Sequence, residues 1–138
     1  MDSQTIDRRD FVTSLGRAAL LFAVPVELSG MGRPTKFVHP EPRPGVDASG
    51  VLPSDQVATH VAELFDEVRR IPHIVDGIGC HCGCGAVEGM RSLLSCYEGG
   101  GMAQYCMVCE GEGRLAVRLA GEGRSLEEIR TAVDRNFG

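Results

Sequence analysis

Apolar residues recur every three or four positions in the second half of the chain, which is the spacing of one face of an α-helix. The clearest case follows Ser125, where Leu126, Ile129 and Val133 share one face. Ser125 and Glu128 have the spacing of a capping box, in which each side chain hydrogen bonds to the other residue's backbone N–H. The sequence therefore predicts a capped amphipathic helix that starts after Ser125.

Two longer segments also carry apolar side chains at helical spacing. Residues 54–70 predict an amphipathic helix with Ser54 as its N-cap. Residues 103–123 favour another helix, although its interior glycines Gly111 and Gly113 cost about 1 kcal/mol each relative to alanine. Both segments are long enough to cover one side of a small core.

The pieces between these helices are shorter. Pro72 ends the preceding helix, so residues 71–78 predict a single helical turn. Residues 89–100 predict a short helix that ends in a run of glycines, and the strict alternation of a strand occurs nowhere. We therefore expect an all-α fold of four or five short helices around a cysteine-rich loop, residues 79–85.

The first 32 residues have the layout of an export signal. Arg8, Arg9 and Phe11 resemble the twin-arginine signal, and an uncharged apolar run follows over residues 18–26. This run is too short for a membrane-spanning helix, which needs roughly 20 residues. An ordinary amphipathic helix is the alternative. No cysteine follows the run, so no lipid anchor is expected. We expect a periplasmic or extracytoplasmic protein that contacts the membrane only through this signal, if the signal stays uncleaved.

Residues 33–53 hold five of the protein's seven prolines. Proline lacks an amide donor and disfavours helix in the residue before it, so a semi-extended Pro-rich linker is expected here. His39 lies among these prolines and is expected to be solvated. The cysteine-rich helical domain would then span residues 54–138.

Composition limits the partners and the chemistry that we expect. The net charge is −5 and no basic cluster occurs, so nucleic-acid binding is not predicted. The serines and acidic residues form no recognisable catalytic set, and neither an open metal position nor an activated thiol is evident. No enzymatic activity is therefore predicted.

All six cysteines lie within 30 residues, so the sequence predicts that they meet at one place in the fold. Alternate side chains of an extended Cys-x-Cys-x-Cys share one side, and the cysteines of Cys-x-x-Cys point to one side of a helix. Thiolates are soft ligands that favour Cu(I), Zn(II) or iron–sulfur clusters. The candidate metal ligands are Cys80, Cys82, Cys84, Cys96, Cys106 and Cys109.

Other soft donors lie close to these cysteines in the sequence. His81 is either a further metal ligand or a polar loop residue. Met102 and Met107 are candidate donors too, although methionine ordinarily fills gaps in a core. The glycines around the cysteines, such as Gly83, allow positive φ values and a close approach of the backbone to a bound ion.

Disulfides are an alternative use of the same cysteines. Export favours oxidation, and six cysteines allow three bridges that would staple a structural or interaction module. A bridge within Cys-x-Cys would be strained, so each loop cysteine would then pair with one of the other three. A mixed state of four metal-bound sulfurs and one bridge is also open. Thiol–disulfide exchange at Cys106-x-x-Cys109 lacks the flanking βαβ pattern of a redox motif.

Residues 71–138 resemble a family of small exported bacterial proteins named for its PCYCGC motif, whose function is unassigned. The likeness is carried by IPHIVDGIGCHCGCG, LLSCYEGG and the segment from AQYC to RNFG, in this order. It implies a small exported cysteine-rich domain, with metal binding as an expectation from the cysteine content. Gly79 and His81 stand where the family's name has proline and tyrosine, and the lipid-anchor cysteine of many relatives is missing.

The sequence thus predicts a small exported protein that binds copper or zinc through a cysteine cluster. The bound ion would serve sequestration, delivery or structure, and delivery implies a protein partner that receives the metal. An iron–sulfur cluster for electron transfer is the alternative cofactor.

Overall fold

Four α-helices and several single turns make up the part of the chain that the computed structural model describes, residues 38–138. The predicted signal, with Arg8, Arg9 and Phe11, lies outside the described residues. Within residues 38–138 the structure contains no strand, only an isolated bridge between Val51 and Glu98, so the predicted all-α class is confirmed. The helices are α1 (Ala62–Val68), α2 (Pro72–Asp76), α3 (Met107–Gly121) and α4 (Leu126–Phe137).

Helix α1 is much shorter than the sequence pattern predicts. A 3₁₀ turn occupies Ser54–Gln56, and Val57 then takes an extended conformation with φ −122° and ψ 167°. The backbone N–H of Ala58 donates to Oε1 of Gln104 at 3.1 Å instead of to a helical carbonyl. A tertiary hydrogen bond thus replaces the helical one, and the regular helix starts only at Ala62.

Helix α4 follows the sequence pattern closely. The Ser125 hydroxyl accepts from the N–H of Glu128, and the Glu128 carboxylate accepts from the N–H of Ser125, which is the predicted capping box. Ile129 and Val133 are fully buried. The helix therefore starts after Ser125 and buries the face that its sequence predicts.

Helix α3 starts directly after Cys106, and its buried residues are Cys109, Glu112, Gly113 and Ala116. These positions are three, four and seven residues apart, so they form one stripe. The stripe contains Gly113 because the hydroxyl of Tyr97 lies where a side chain would begin. A Cβ at Gly113 would be only 1.8 Å from that oxygen.

Tyr97 lies at the centre of the core. Its side chain is fully buried, and its ring centroid is 4.8 Å from that of Phe65 in α1. The hydroxyl donates to the carbonyl of Cys109 at 2.9 Å. Tyr97 follows the 3₁₀ turn Leu93–Cys96, so it connects this turn to the first turns of α3.

Residues 38–53 pack along the helices, whereas their prolines led us to expect a semi-extended linker. Val51 is 1% exposed, and the N–H of Leu52 donates to the carbonyl of Tyr97 at 3.1 Å. Arg130 of α4 donates to the carbonyl of Pro40 at 2.7 Å. The prolines lack N–H donors and the segment forms no helix of its own, so helix side chains such as that of Arg130 donate to its carbonyls.

Asp76, at the end of α2, joins this segment to the rest of the fold. Its side chain is fully buried and accepts hydrogen bonds from the backbone N–H of Arg43 at 2.7 Å and from the hydroxyl of Ser92 at 2.9 Å. The guanidinium groups of Arg43 and Arg91 each lie 3.0 Å from a carboxylate oxygen. One carboxylate therefore holds three separate stretches of chain together.

None of the helices within residues 38–138 is long and apolar enough to cross a membrane.

Candidate metal centre

The cysteine-rich loop, residues 79–85, is a loop as predicted, but it folds as a tight turn and not in the extended conformation considered for its alternating cysteines. Gly83 has a φ of +85°, in the left-handed region that favours glycine, and a 3₁₀ turn follows over Cys84–Ala86. This reversal places Sγ of Cys82 3.3 Å from Sγ of Cys80 and 2.8 Å from Sγ of Cys84. The three loop sulfurs therefore converge through a turn.

The other three cysteines reach the loop from two elements. Cys96 ends the 3₁₀ turn Leu93–Cys96, which is held beside the loop by the N–H of Leu93 donating to the carbonyl of Ile78 at 2.7 Å. Cys106 is the N-cap of α3, and Cys109 lies in its first turn. All six cysteines are free thiols.

Four of the sulfurs form one buried group, here called the tetrad: Cys80, Cys84, Cys96 and Cys109. Their Sγ atoms all lie within 4.8 Å of one another, and none of the four residues is more than 7% exposed. Four thiolates bound at 2.3 Å around a tetrahedral ion are about 3.8 Å apart. The tetrad is therefore close enough to hold a metal ion.

The remaining sulfurs form a second group with one member in common, here called the trio: Cys82, Cys106 and Cys109. These Sγ atoms also lie within 4.8 Å of one another, with 3.5 Å between Cys82 and Cys109. Cys82 and Cys106 are half-buried, whereas Cys109 is fully buried. The cluster thus has a buried side and a more accessible side.

The buried thiols hold their protons more strongly than an isolated cysteine does. Hydrogen bonding with Cys109 is the main cause that raises the pKa of Cys80, and burial adds to it. Burial is the main cause that raises the pKa of Cys84. At Cys82 burial also acts upward, but hydrogen bonding with Cys84 lowers the pKa overall. Because thiolates are the ligand form, a metal ion that enters the tetrad displaces protons.

His81 contacts carboxylates through both ring nitrogens. Its backbone N–H donates to Oε1 of Glu112 at 2.9 Å, and its Nδ1 lies 2.7 Å from the same oxygen. Its Nε2 lies 3.1 Å from Oδ1 of Asp134 in α4. Within residues 38–138, the groups close enough to hold a metal ion consist of cysteines alone and do not include His81. The residue therefore ties the loop to α3 and α4.

His39 supports the same loop from the proline-containing segment. Its side chain is only 6% exposed. The sequence-based expectation of a solvated histidine is therefore wrong. Nδ1 accepts from the N–H of Gly79 at 3.1 Å, which leaves the proton on Nε2 to donate to Oδ1 of Asp134 at 2.9 Å. Burial is the main cause that lowers the pKa of His39, so the neutral ring fits this arrangement.

Glu112 is a residue of the site that the sequence reasoning missed. It is fully buried, and its Oε2 has no hydrogen-bond partner among the described residues. A signal for it does exist in the sequence. Glu112 lies three residues after Cys109 and four before Ala116, so a charged residue falls within the buried stripe of α3. A carboxylate at such a position indicates a polar partner in the interior.

The two candidate methionine donors lie at the surface. Met102 is 37% exposed and Met107 is 86% exposed, in contrast to the core positions expected for them. Met107 is the first residue of α3, directly after Cys106, and its side chain faces solvent instead of the core.

A search for related proteins finds no matching family model, no matching curated protein and no matching solved structure. The function must therefore be inferred from the chemistry of the site itself.

Proposed function

We propose that this protein is an exported metal-binding protein that holds a soft ion, Cu(I) or Zn(II), in its cysteine cluster for sequestration or delivery. The single observation that supports it most is the tetrad, in which four buried sulfurs lie within 4.8 Å of one another. Four sulfurs at this separation supply the complete ligand set of a tetrahedral ion.

The ligand type decides which ions are suited to this site. Four thiolates are a common ligand set of Zn(II), and soft sulfur ligands also favour Cu(I). Oxygen-seeking ions such as Mg²⁺ and Ca²⁺ are disfavoured, because the metal-competent groups in the described part of the chain contain no oxygen donor. An iron–sulfur cluster uses the same four-cysteine set and is the alternative occupant.

The surroundings of the tetrad suit a preformed site. His81, Glu112 and Asp134 hold the loop through a chain of hydrogen bonds of 2.7–3.1 Å. Such outer contacts fix the geometry of metal ligands and are commonly needed for tight binding. The ordering of the loop is therefore supported by contacts that do not involve the sulfurs.

Export and membership in the PCYCGC-motif family belong to this proposal as predictions. The export prediction rests on Arg8, Arg9 and Phe11. Arg8→Lys/Arg9→Lys keeps both charges, so a signal read only for its charge would still work. We expect this double variant to remain in the cytoplasm while the unchanged chain is found in the periplasm, and equal distribution of the two would contradict the export prediction.

Metal content and thiol reactivity, measured on the same sample, test the central proposal. The full chain is purified without chelator, analysed for copper, zinc and iron, and alkylated before and after chelation. We expect stoichiometric copper or zinc and at least four thiols that react only after chelation. No metal, no uptake of Cu(I) or Zn(II) by the reduced protein, and no free thiol would identify a disulfide module instead.

Two variants make this measurement specific. Cys96→Ser removes one tetrad sulfur that is fully buried, and Met107→Ser removes a sulfur atom that is exposed beside the cluster. We expect Cys96→Ser to lose at least tenfold in metal affinity and Met107→Ser to bind as the unchanged chain does. Equal affinities in the two variants would show that the metal is not held by the tetrad.

A further inference from the structure

We propose that the cluster holds two metal ions at once, one in the tetrad and one in the trio, with the thiolate of Cys109 bridging them. This inference rests on the proposed function, and it assigns the second ion to the accessible side of the cluster. It also assigns to that ion the role of the exchangeable one.

The number of sulfurs is the first reason. A tetrahedral ion takes four thiolates, so a single ion in the tetrad leaves Cys82 and Cys106 without a metal. Both are within 4.8 Å of Cys109, which already belongs to the tetrad. A thiolate sulfur has several lone pairs and is able to bind two ions, as the sulfurs of metal–thiolate clusters do.

The spacing in the trio is the second reason. Three thiolates bound at 2.3 Å in a plane around one ion are about 4 Å apart. The Sγ atoms of Cys82 and Cys109 are 3.5 Å apart, and the third sulfur lies within 4.8 Å of both. Cys82 also lies 3.3 Å from Cys80 and 2.8 Å from Cys84, so the sulfurs of the trio and of the tetrad are direct neighbours.

The charge of the cluster is the third reason. Six thiolates around one divalent ion would carry four uncompensated negative charges, beside the fully buried carboxylate of Glu112. Unpaired charges in a buried site are costly, so the cluster would have to keep protons on its remaining thiols. A second divalent ion reduces the excess charge of the six thiolates to two.

Accessibility distinguishes the two ions. The tetrad residues are at most 7% exposed, whereas two of the three trio residues are half-buried. On the chain, Cys106 lies between Tyr105 and Met107, which are 80% and 86% exposed. A three-sulfur site also leaves one position open to an incoming ligand. The ion in the trio therefore exchanges with an outside thiol or chelator faster than the ion in the tetrad.

The variants that separate the sites are Cys106→Ser and Cys96→Ser. Cys106 belongs only to the trio and Cys96 only to the tetrad. Cys106 is also the N-cap of α3 and makes no side-chain capping bond, so serine, a favoured N-cap residue, preserves the start of the helix. Cys82→Ser, in the loop, is a second trio variant that leaves α3 untouched.

Native mass spectrometry of the reduced full chain, titrated with Zn(II), counts the ions directly. We expect two Zn(II) per chain for the unchanged protein and one for each of Cys106→Ser, Cys82→Ser and Cys96→Ser. On addition of a colorimetric chelator, we expect the unchanged protein to release zinc in a fast and a slow phase of equal size. The trio variants should lack the fast phase, and Cys96→Ser should lack the slow one.

The possible outcomes distinguish the two-ion cluster from the proposed metal-binding function. One Zn(II) in the unchanged chain and one in Cys106→Ser, released in a single phase, would overturn the two-ion cluster and leave the metal-binding function intact. Two Zn(II) in both chains would also overturn it, because the second ion would not need the trio. No uptake of Zn(II) or Cu(I) by any of these chains would overturn the proposed function itself.

Discussion

Gly113→Ala tests the packing of α3 against Tyr97, on which the first turns of that helix depend. The new Cβ would lie 1.8 Å from the tyrosine oxygen and 2.8 Å from the ring carbon that carries it. Both atoms belong to a fully buried ring that is in contact with Phe65, so the ring has no free space to move into. The substitution therefore forces a rearrangement of the core.

The magnitude follows from three contributions. Alanine favours the helix over glycine by about 0.5–1 kcal/mol. Against this, overpacking costs about 1–3 kcal/mol, and loss of the hydrogen bond from Tyr97 to Cys109 costs about 1 kcal/mol. We expect a net loss of about 2 kcal/mol in the free energy of unfolding. For a folded unit of this size that corresponds to a fall in Tm of roughly 10 °C.

Thermal unfolding followed by far-UV circular dichroism, on reduced and metal-free samples, measures this change. Gly121→Ala is the matched control, because it lies in the same helix and a Cβ there would meet nothing within 4 Å. Tyr97→Phe combined with Gly113→Ala removes the closest clash, so the double variant should lose less than the sum of the single changes. If Gly113→Ala were as stable as Gly121→Ala, the packing argument would be refuted.

Three further changes test other parts of the structure. Asp76→Asn removes the negative charge that Arg43 and Arg91 share, and we expect urea unfolding to show a loss of about 2 kcal/mol in the free energy of unfolding. This loss is smaller than for a fully buried ion pair because both arginines are partly exposed. Burial acts to raise the pKa of Asp76, but its hydrogen bonds lower the pKa overall. The stability that the ionised carboxylate contributes is therefore present above about pH 4 and is lost as the pH falls through the lowered pKa. The asparagine variant should therefore lose less stability as the pH falls below about 4, and an equal loss in both proteins would contradict this role of Asp76. Ser125→Ala should lower the free energy of unfolding by about 1 kcal/mol through loss of the cap of α4, whereas removal of the exposed Thr131 hydroxyl by Thr131→Val should change it by less. Chelation of the loaded protein should lower the free energy of unfolding by about 2.7 kcal/mol if free metal had been held at 100 times Kd, and an unchanged Tm would contradict a metal bound to the folded state.

The sequence predicted those features that depend on neighbours along the chain. The capping box of Ser125 and Glu128 requires only residues three apart, and the buried face of α4 requires only helical periodicity. The clustering of six cysteines within 30 residues likewise indicated one site. The first two features rest on contacts within one helix, whereas the cysteines are recognised by their number and close spacing along the chain.

The features that sequence reasoning missed depend on distant partners. The α1 prediction began at Ser54, but Gln104, 46 residues after Ala58, takes the hydrogen bond that a longer helix needs. The buried ring of His39 has distant partners: Asp134, 95 residues away, accepts from Nε2, and the N–H of Gly79 donates to Nδ1. Hydrophobic periodicity does not predict such pairs, because each partner taken alone looks like an ordinary polar surface residue.

The bracing of the cysteine loop has a consequence for the order in which the protein assembles. His39 and Asp134 are 95 residues apart, and Arg130 reaches Pro40 over 90 residues, so these contacts close nearly the whole described chain into a ring. Loop closure over such distances is slow relative to local events, and contacts of this kind form late in folding. Cys80, Cys82 and Cys84 are by contrast neighbours from the moment of synthesis. The three loop sulfurs are therefore close together before the loop is braced, and the contacts that fix its final position form only when the two ends of the domain meet.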